Sequence, residues 1–337
     1  MYLGTKANVN SDPQVLAQLG VAGVGHGLAA VEKPFSEWSP AVIEQLHEHY
    51  GKYGVRLEML WLQLHGRPAF IGNLDKPAND NYAGAIWLGP SDERERALDG
   101  ICDRIRMAGQ GGIRSMNYNI SVQGHMRTEP TTGRGGATVA TFQYEKLDQS
   151  KGDYEGGVAD DDALWERIEY FLQRVVPVAE EYRVQLACHP QDPGIGLGKT
   201  YRGVGRPLGM AEGFKKLIDL YDSPYNGLNF CQGCMGEALE NPAEDIFDVI
   251  RCFGERKKIF NVHFRNIKGR LNDFVEVFPD EGDIDMIEAL RVYRDVGYEY
   301  MIMPDHVPGL SGRAPREVGF AYGYGYIHAA LQAIQAA

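Results

Sequence analysis

Short apolar runs alternate with longer amphipathic stretches along almost the whole chain. Strand-like runs fall at Val21–Gly25, Val55–Leu62, Ile113–Asn119, Val184–His189, Gly227–Cys231, Ile259–His263, Phe274–Phe278 and Met301–Pro304. Helical periodicity separates most of them, at Pro40–Tyr53, Asp92–Gly109, Asp161–Tyr182, Met210–Tyr221, Pro242–Phe253, Ile284–Val296 and Pro315–Ile334. Ser39–Pro40 and Asn241–Pro242 place a capping residue and a proline where a helix would start. Strand after helix after strand implies parallel pairing through crossover helices. Eight strands with terminal helices predict an α/β fold closed into a (β/α)₈ TIM barrel. An open doubly wound sheet is the alternative, because sequence alone does not show whether the first and last strands meet.

Two stretches read as long loops. Ser121–Gly157 is rich in Gly, Thr and charge, and Pro190–Gly209 is rich in Gly and Pro. Both follow strands, so a barrel would set them on the face whose loops carry chemistry. With no internal repeat and no linker, the 337 residues read as one barrel domain, 1–337, a length such barrels reach.

The balance of 46 acidic against 34 basic residues gives a net charge of −12 and argues against nucleic acid as partner. Arg94 and Arg96 alternate with Glu93 and Glu95, which is a solvated helix face rather than a basic patch. No run of about 18 apolar residues suggests a membrane span. Met1 to Gln18 lacks a basic segment followed by an apolar core, so no signal peptide is expected. Five cysteines, an odd number in a large chain, then point to reduced thiols and a cytoplasmic location.

The chemistry-bearing side chains gather at the ends of the strands. One strand ends in Cys188–His189–Pro190 and the next in Asn229–Phe230–Cys231. A third ends in Asn261–Val262–His263–Phe264–Arg265, and the last in Met303–Pro304–Asp305–His306. A parallel barrel gathers such ends around one rim. His189, Cys231, His263 and Asp305 would there form a mixed N/S/O site for one divalent transition metal, Mn²⁺, Fe²⁺, Co²⁺ or Zn²⁺. Each residue alone more often has a structural role; four ligand-type side chains at four strand ends favour a site. His65 and His125 follow strands and either line the pocket or sit on the surface.

The segments Cys188-His189-Pro190-Gln191-Asp192-Pro193, Phe230-Cys231-Gln232-Gly233, Val262-His263-Phe264-Arg265, Gly282-Asp283-Ile284-Asp285-Met286 and Met303-Pro304-Asp305-His306 resemble the mannonate dehydratases. That family belongs to the xylose-isomerase-like barrels. Tyr118-Asn119, followed by Arg127-Thr128, is similar to its third-strand motif, and His26 to its first-strand histidine. The resemblance runs in order from about residue 20 to about residue 310.

It implies a manganese-type site on His189, Cys231, His263 and Asp305, with His306 as acid/base. It also implies a sugar-acid substrate met by Tyr118, Asn119, Arg127 and His26, and loss of water from D-mannonate to give 2-keto-3-deoxy-D-gluconate; His125, from its place after the third strand, is a further substrate-binding candidate. Arg265 either clamps the substrate carboxylate bidentately or pairs with a rim carboxylate. Members carry a catalytic tyrosine in a Gly-Tyr-Ser-like segment, where this chain reads Gly319-Phe320-Ala321-Tyr322. Phe320 matches directly, and Tyr322 is the candidate replacement. Gln123-Gly124-His125 likewise stands where an apolar and aromatic run is expected.

The rival enzymatic reading is a metal-dependent isomerase or epimerase on a related sugar. A rival of another class is a non-catalytic sugar-acid-binding protein, which the intact ligand set disfavours. A homo-oligomer is compatible with such a barrel, and no sequence feature fixes its order. Cys231-x-x-Cys234 has no second pair to complete a zinc cluster, so Cys234 reads as a small buried neighbour of the ligand Cys231. Gly194 to Thr200 lacks the first glycine of a phosphate-binding loop, since Pro193 stands there. It reads as an active-site loop with Lys199, Arg202 or Arg206 available to an acidic substrate.

Overall fold

The structure is a computed structural model that describes residues 1–8, 10–26, 39–62, 64, 84–87, 89–154 and 157–335. The expectation placed on His65 lies outside these residues. Eight parallel strands close a barrel: β1 (Tyr2–Ala7), β2 (Gly23–His26), β3 (Arg56–Leu62), β4 (Ser115–Asn119), β5 (Gln185–His189), β6 (Asn226–Cys231), β7 (Ile259–His263) and β8 (Met301–Met303). Each pairs with its successor, and the seam closes where Tyr2 meets Met301 and Leu3 meets Ile302.

The barrel was expected, but its first strand was not. Tyr-Leu-Gly-Thr-Lys-Ala alternates poorly between apolar and polar residues. Gly4 is there for space: a Cβ at that position would lie 2.8 Å from the Met301 side chain. Conversely, Phe274–Phe278 is not a barrel strand. Its core, Asp273–Glu276, pairs antiparallel with Ile267–Arg270 and Thr141–Gln143 in a three-stranded sheet. Its apolar alternation serves a small separate core, in which Phe274 packs on Phe142, Met126 and Ile195.

The helices form where the periodicity placed them. Ser39, Ser91, Asp160 and Asp285 each accept a backbone N–H in the first turn of the helix that follows, a cap worth about 1 kcal/mol. Asn241 makes no such bond, so Pro242 alone marks that start. Their apolar faces bury Ile105, Leu172, Phe253 and Leu290 against the barrel. Met59, Ala187, Phe260, Met301 and Met303 form a second apolar cluster.

Both long loops carry structure. The first contains the hairpin Thr131–Thr132/Thr138–Val139, and the second the hairpin Thr200–Tyr201/Val204–Gly205. Arg206 is not available to a substrate as expected. It is 2% exposed and donates to the carbonyls of Pro193, Asp192 and Gly124, which ties the two loops together. Among the described residues no helix is long and apolar enough to cross a membrane.

Candidate metal and catalytic site

Residues two apart on a strand face the same way, and the ligand types use that parity. His189, Cys231 and His263 are the final residues of β5, β6 and β7, and Asp305 stands two positions beyond β8. All four are buried, and one ligand atom from each lies within 4.8 Å of the others. The structure thus brings together the four residues named from sequence.

Hydrogen bonds orient the two rings. His189 Nδ1 lies 2.7 Å from the Pro190 carbonyl, so that nitrogen carries the proton and Nε2 offers its lone pair. Nε2 in turn lies 3.1 Å from Nδ1 of His263. The far nitrogen of His263 is met at 3.1 Å by the Asn229 amide, itself 2.8 Å from that of Asn261. Burial, with the nearby Lys6 charge, lowers His263 to about 4, so the ring is neutral at ordinary pH. Burial opposes a thiolate at Cys231, but the Cys234 thiol and the Arg265 charge overcome it and hold Cys231 well below its ordinary value. Two imidazoles, a thiolate and a carboxylate are a donor set that fits a divalent transition metal.

Behind the cluster lies a buried charge nest that sequence did not reveal. Arg265 is 2% exposed and sits 2.6 Å from Glu237, 2.7 Å from Glu276 and 3.4 Å from Asp192. Arg127 lies 2.6 Å from Asp192 and donates through Nε to Glu276 at 3.0 Å. Of the two roles expected for Arg265, the ion pair is the one the geometry shows. Gly233 makes room for it, since a Cβ there would lie 2.5 Å from the Arg265 Nε. Cys234 is fully buried, with its sulfur 3.1 Å from Arg265 Nη2, as a neighbour of the cluster. Burial pushes Glu237 well above the usual carboxylate range, while Arg265 and His306 overcome burial to hold Glu276 at about 2. Two arginines thus face three buried carboxyl groups, those of Asp192, Glu237 and Glu276.

His306 joins nest and cluster. Its Nδ1 lies 2.7 Å from Glu276 Oε2 and its Nε2 3.8 Å from Asp305. Burial is outweighed by Asp305 and Glu276, so its pKa is raised. The His125 ring stands 5.9 Å away, and both rings line a cavity of about 110 Å³ beside the metal-type cluster. Lys6, Trp61, Asn117 and Asn119 complete much of its wall.

Other expected residues sit elsewhere. Tyr118 turns its ring outward onto Phe171, at 5.5 Å between centroids, although its strand edges the cavity. His26 ends β2. Tyr322 is not brought to the cluster: it is 42% exposed on the last helix, edge-on to Phe278 and 6.0 Å from the Arg134 guanidinium. Phe320 instead lines a neighbouring cavity that reaches Asp305 and His306. Lys6 was missed because β1 was missed, and Glu276 because its strand was placed in the barrel wall. Asp192 stood inside a quoted motif without a role.

Comparison with known proteins places the chain in a family. The family description of D-mannonate dehydratase (UxuA) matches residues 138–336, a segment holding all four cluster residues and His306. The chain is 34% identical to a mannonate dehydratase of Thermotoga petrophila over 98% of its own length and 93% of that protein. Among solved structures, the mannonate dehydratase of Streptococcus suis serotype 2 superposes with a TM-score of 0.80 at 22% identity, over 99% of this chain and 93% of that one. A xylose isomerase domain protein of Planctomyces limnophilus gives 0.58 at 12% identity, covering 99% and 96%, which shows the shared barrel. By family match and near full-length similarity, this chain belongs to the D-mannonate dehydratase family.

Proposed function

We propose that the protein removes water from D-mannonate to give 2-keto-3-deoxy-D-gluconate, with a divalent metal ion, Mn²⁺ in the first instance, held by His189, Cys231, His263 and Asp305. The observation that carries this reading is the buried four-residue cluster with His306 at its edge, in a chain of this family. A bound cation there would act as a Lewis acid, stabilising the negative charge that builds on the substrate as the proton beside its carboxylate leaves.

The protein's own groups handle the protons. Dehydration needs the C2 proton removed and the C3 hydroxyl protonated as it departs; the enol then becomes the ketone. His306 Nδ1 is occupied by Glu276, which leaves Nε2 as the atom that exchanges a proton with substrate. His125, across the same cavity, is the second proton carrier in place of the family's phenol. The five cysteines are all free thiols, which fits a reducing cytoplasm.

The test is metal analysis of the purified protein, followed by incubation of the Mn²⁺-loaded enzyme with D-mannonate and neighbouring aldonates. Formation of a 2-keto-3-deoxy acid from D-mannonate is the expected result. Stoichiometric metal with no dehydration of any aldonate would overturn the reading and favour an isomerase or epimerase.

A further inference from the structure

The cations near the cavity are unequally engaged. Arg265 and Arg127 are turned onto Asp192, Glu237 and Glu276, and the side chain of Arg265 is 1% exposed. An incoming carboxylate would have to displace an anion that is already bound. Lys6 differs. Its side chain is 27% exposed and runs from the end of β1 over the Trp61 indole, at 5.1 Å from the ring centroid, into the wall of the cavity. Among the described residues its one ion-pair partner is Asp305, and an ammonium has three donors.

A second observation points into the same space. Asn117 is 2% exposed, and its Oδ1 has no hydrogen-bond donor among the described residues; the same holds for Asn119 Oδ1. Both asparagines line this cavity. Buried acceptors without donors are uncommon in folded proteins and mark places where a ligand can supply the donor. A polyol chain carries such donors along its length.

We infer that Lys6 anchors the substrate carboxylate, with Asn117 accepting from a hydroxyl further along the chain. The pocket is then built for an open-chain aldonate: a cation at one end, hydroxyl acceptors beside it. The inference deepens the dehydratase reading and rests on it for the choice of acid. It assigns to Lys6 the role that sequence offered to Arg265.

The test uses the Mn²⁺-loaded protein as wild type, Lys6→Met and Lys6→Arg. The probes are the 3-deoxy analogue of D-mannonate, which has no hydroxyl to lose, and the neutral D-mannitol. Calorimetry is expected to show affinity for the acid falling about tenfold or more in Lys6→Met, the weight of one charged hydrogen bond, with substantial recovery in Lys6→Arg. Mannitol binding and metal content should stay the same in all three. Unchanged affinity for the acid in Lys6→Met would overturn the inference, as would loss of metal, which would make Lys6 a mere support for Asp305.

Turnover of D-mannonate by the wild type separates this inference from the reading beneath it. Binding that depends on Lys6 without dehydration sinks the dehydratase reading and keeps the anchor. Dehydration with Lys6→Met binding at full strength does the reverse. A wild type that binds neither D-mannonate nor its analogue overturns both.

Discussion

Nε2 of His189 and Nδ1 of His263 face each other at 3.1 Å at the strand-end rim of the barrel. With His189 protonated on its far nitrogen, one proton shared between the rings satisfies both, and under the proposed function a divalent cation would exchange with that proton.

The first prediction follows from that exchange. His263→Ala and Cys231→Ala should each abolish stoichiometric metal binding, read by elemental analysis after dialysis. Asn229→Ala, which removes the amide holding the far side of the His263 ring together with the acceptor of the Asn261 amide, should weaken metal binding by about 10- to 100-fold. Full metal retention in Cys231→Ala would remove the thiolate from the ligand set.

A second prediction separates metal from proton transfer. His306→Ala should keep its metal and lose turnover by about 10²- to 10⁴-fold. Glu276→Gln keeps the shape of the partner at 2.7 Å and drops its charge. It should lower kcat about tenfold with little change in KM. It also leaves Arg127 and Arg265 short of one carboxylate, so stability should fall by about 3 kcal/mol in urea unfolding. Normal rates in His306→Ala would end its role.

The third concerns the missing phenol. Tyr322→Phe should turn over D-mannonate within about twofold of wild type, because its ring lies on the surface with Phe278 and Arg134. His125→Ala should lower kcat about 10²-fold, as expected for loss of one of two proton carriers. The opposite ranking would return the role to the tyrosine.

The fourth is a pH dependence. His263 is fully buried and its pKa is lowered to about 4 from 6.5. Between these values the unfolded chain binds the proton and the folded one does not, so the metal-free protein loses stability as pH falls from 6.5 towards 4. This residue alone accounts for about 3 kcal/mol of that loss. Urea midpoints across the range should fall in wild type and fall less steeply in His263→Asn. Identical slopes would contradict the assignment.

Much of this was readable in the chain because the relevant signals are local. His189, Cys231 and His263 each end an apolar run, and parallel pairing carries such ends to one rim whatever lies between them. What could not be read depends on partners far apart in sequence. Lys6 meets Asp305 across 299 positions, on a strand whose Gly-Thr-Lys centre lacks the usual alternation. Glu276 sits on a strand with a genuine period of two, but the face it buries belongs to a small outlying core. Periodicity gives the number of apolar faces and is silent on which core receives them. Arg265 had two sound chemical roles, and only the carboxylates of Glu237 and Glu276 decided between them.

All four cluster residues come from β5 to β8 and the segment after it, whereas Lys6, Trp61, Asn117 and Asn119 come from β1, β3 and β4. Under the proposed function the barrel would be split into a half that holds the ion and a half that faces the organic molecule. Libraries directed at a new acid can be confined to residues 1–119 while the reactive hemisphere is inherited intact. Retooling the enzyme becomes a matter of refitting one half of a closed ring.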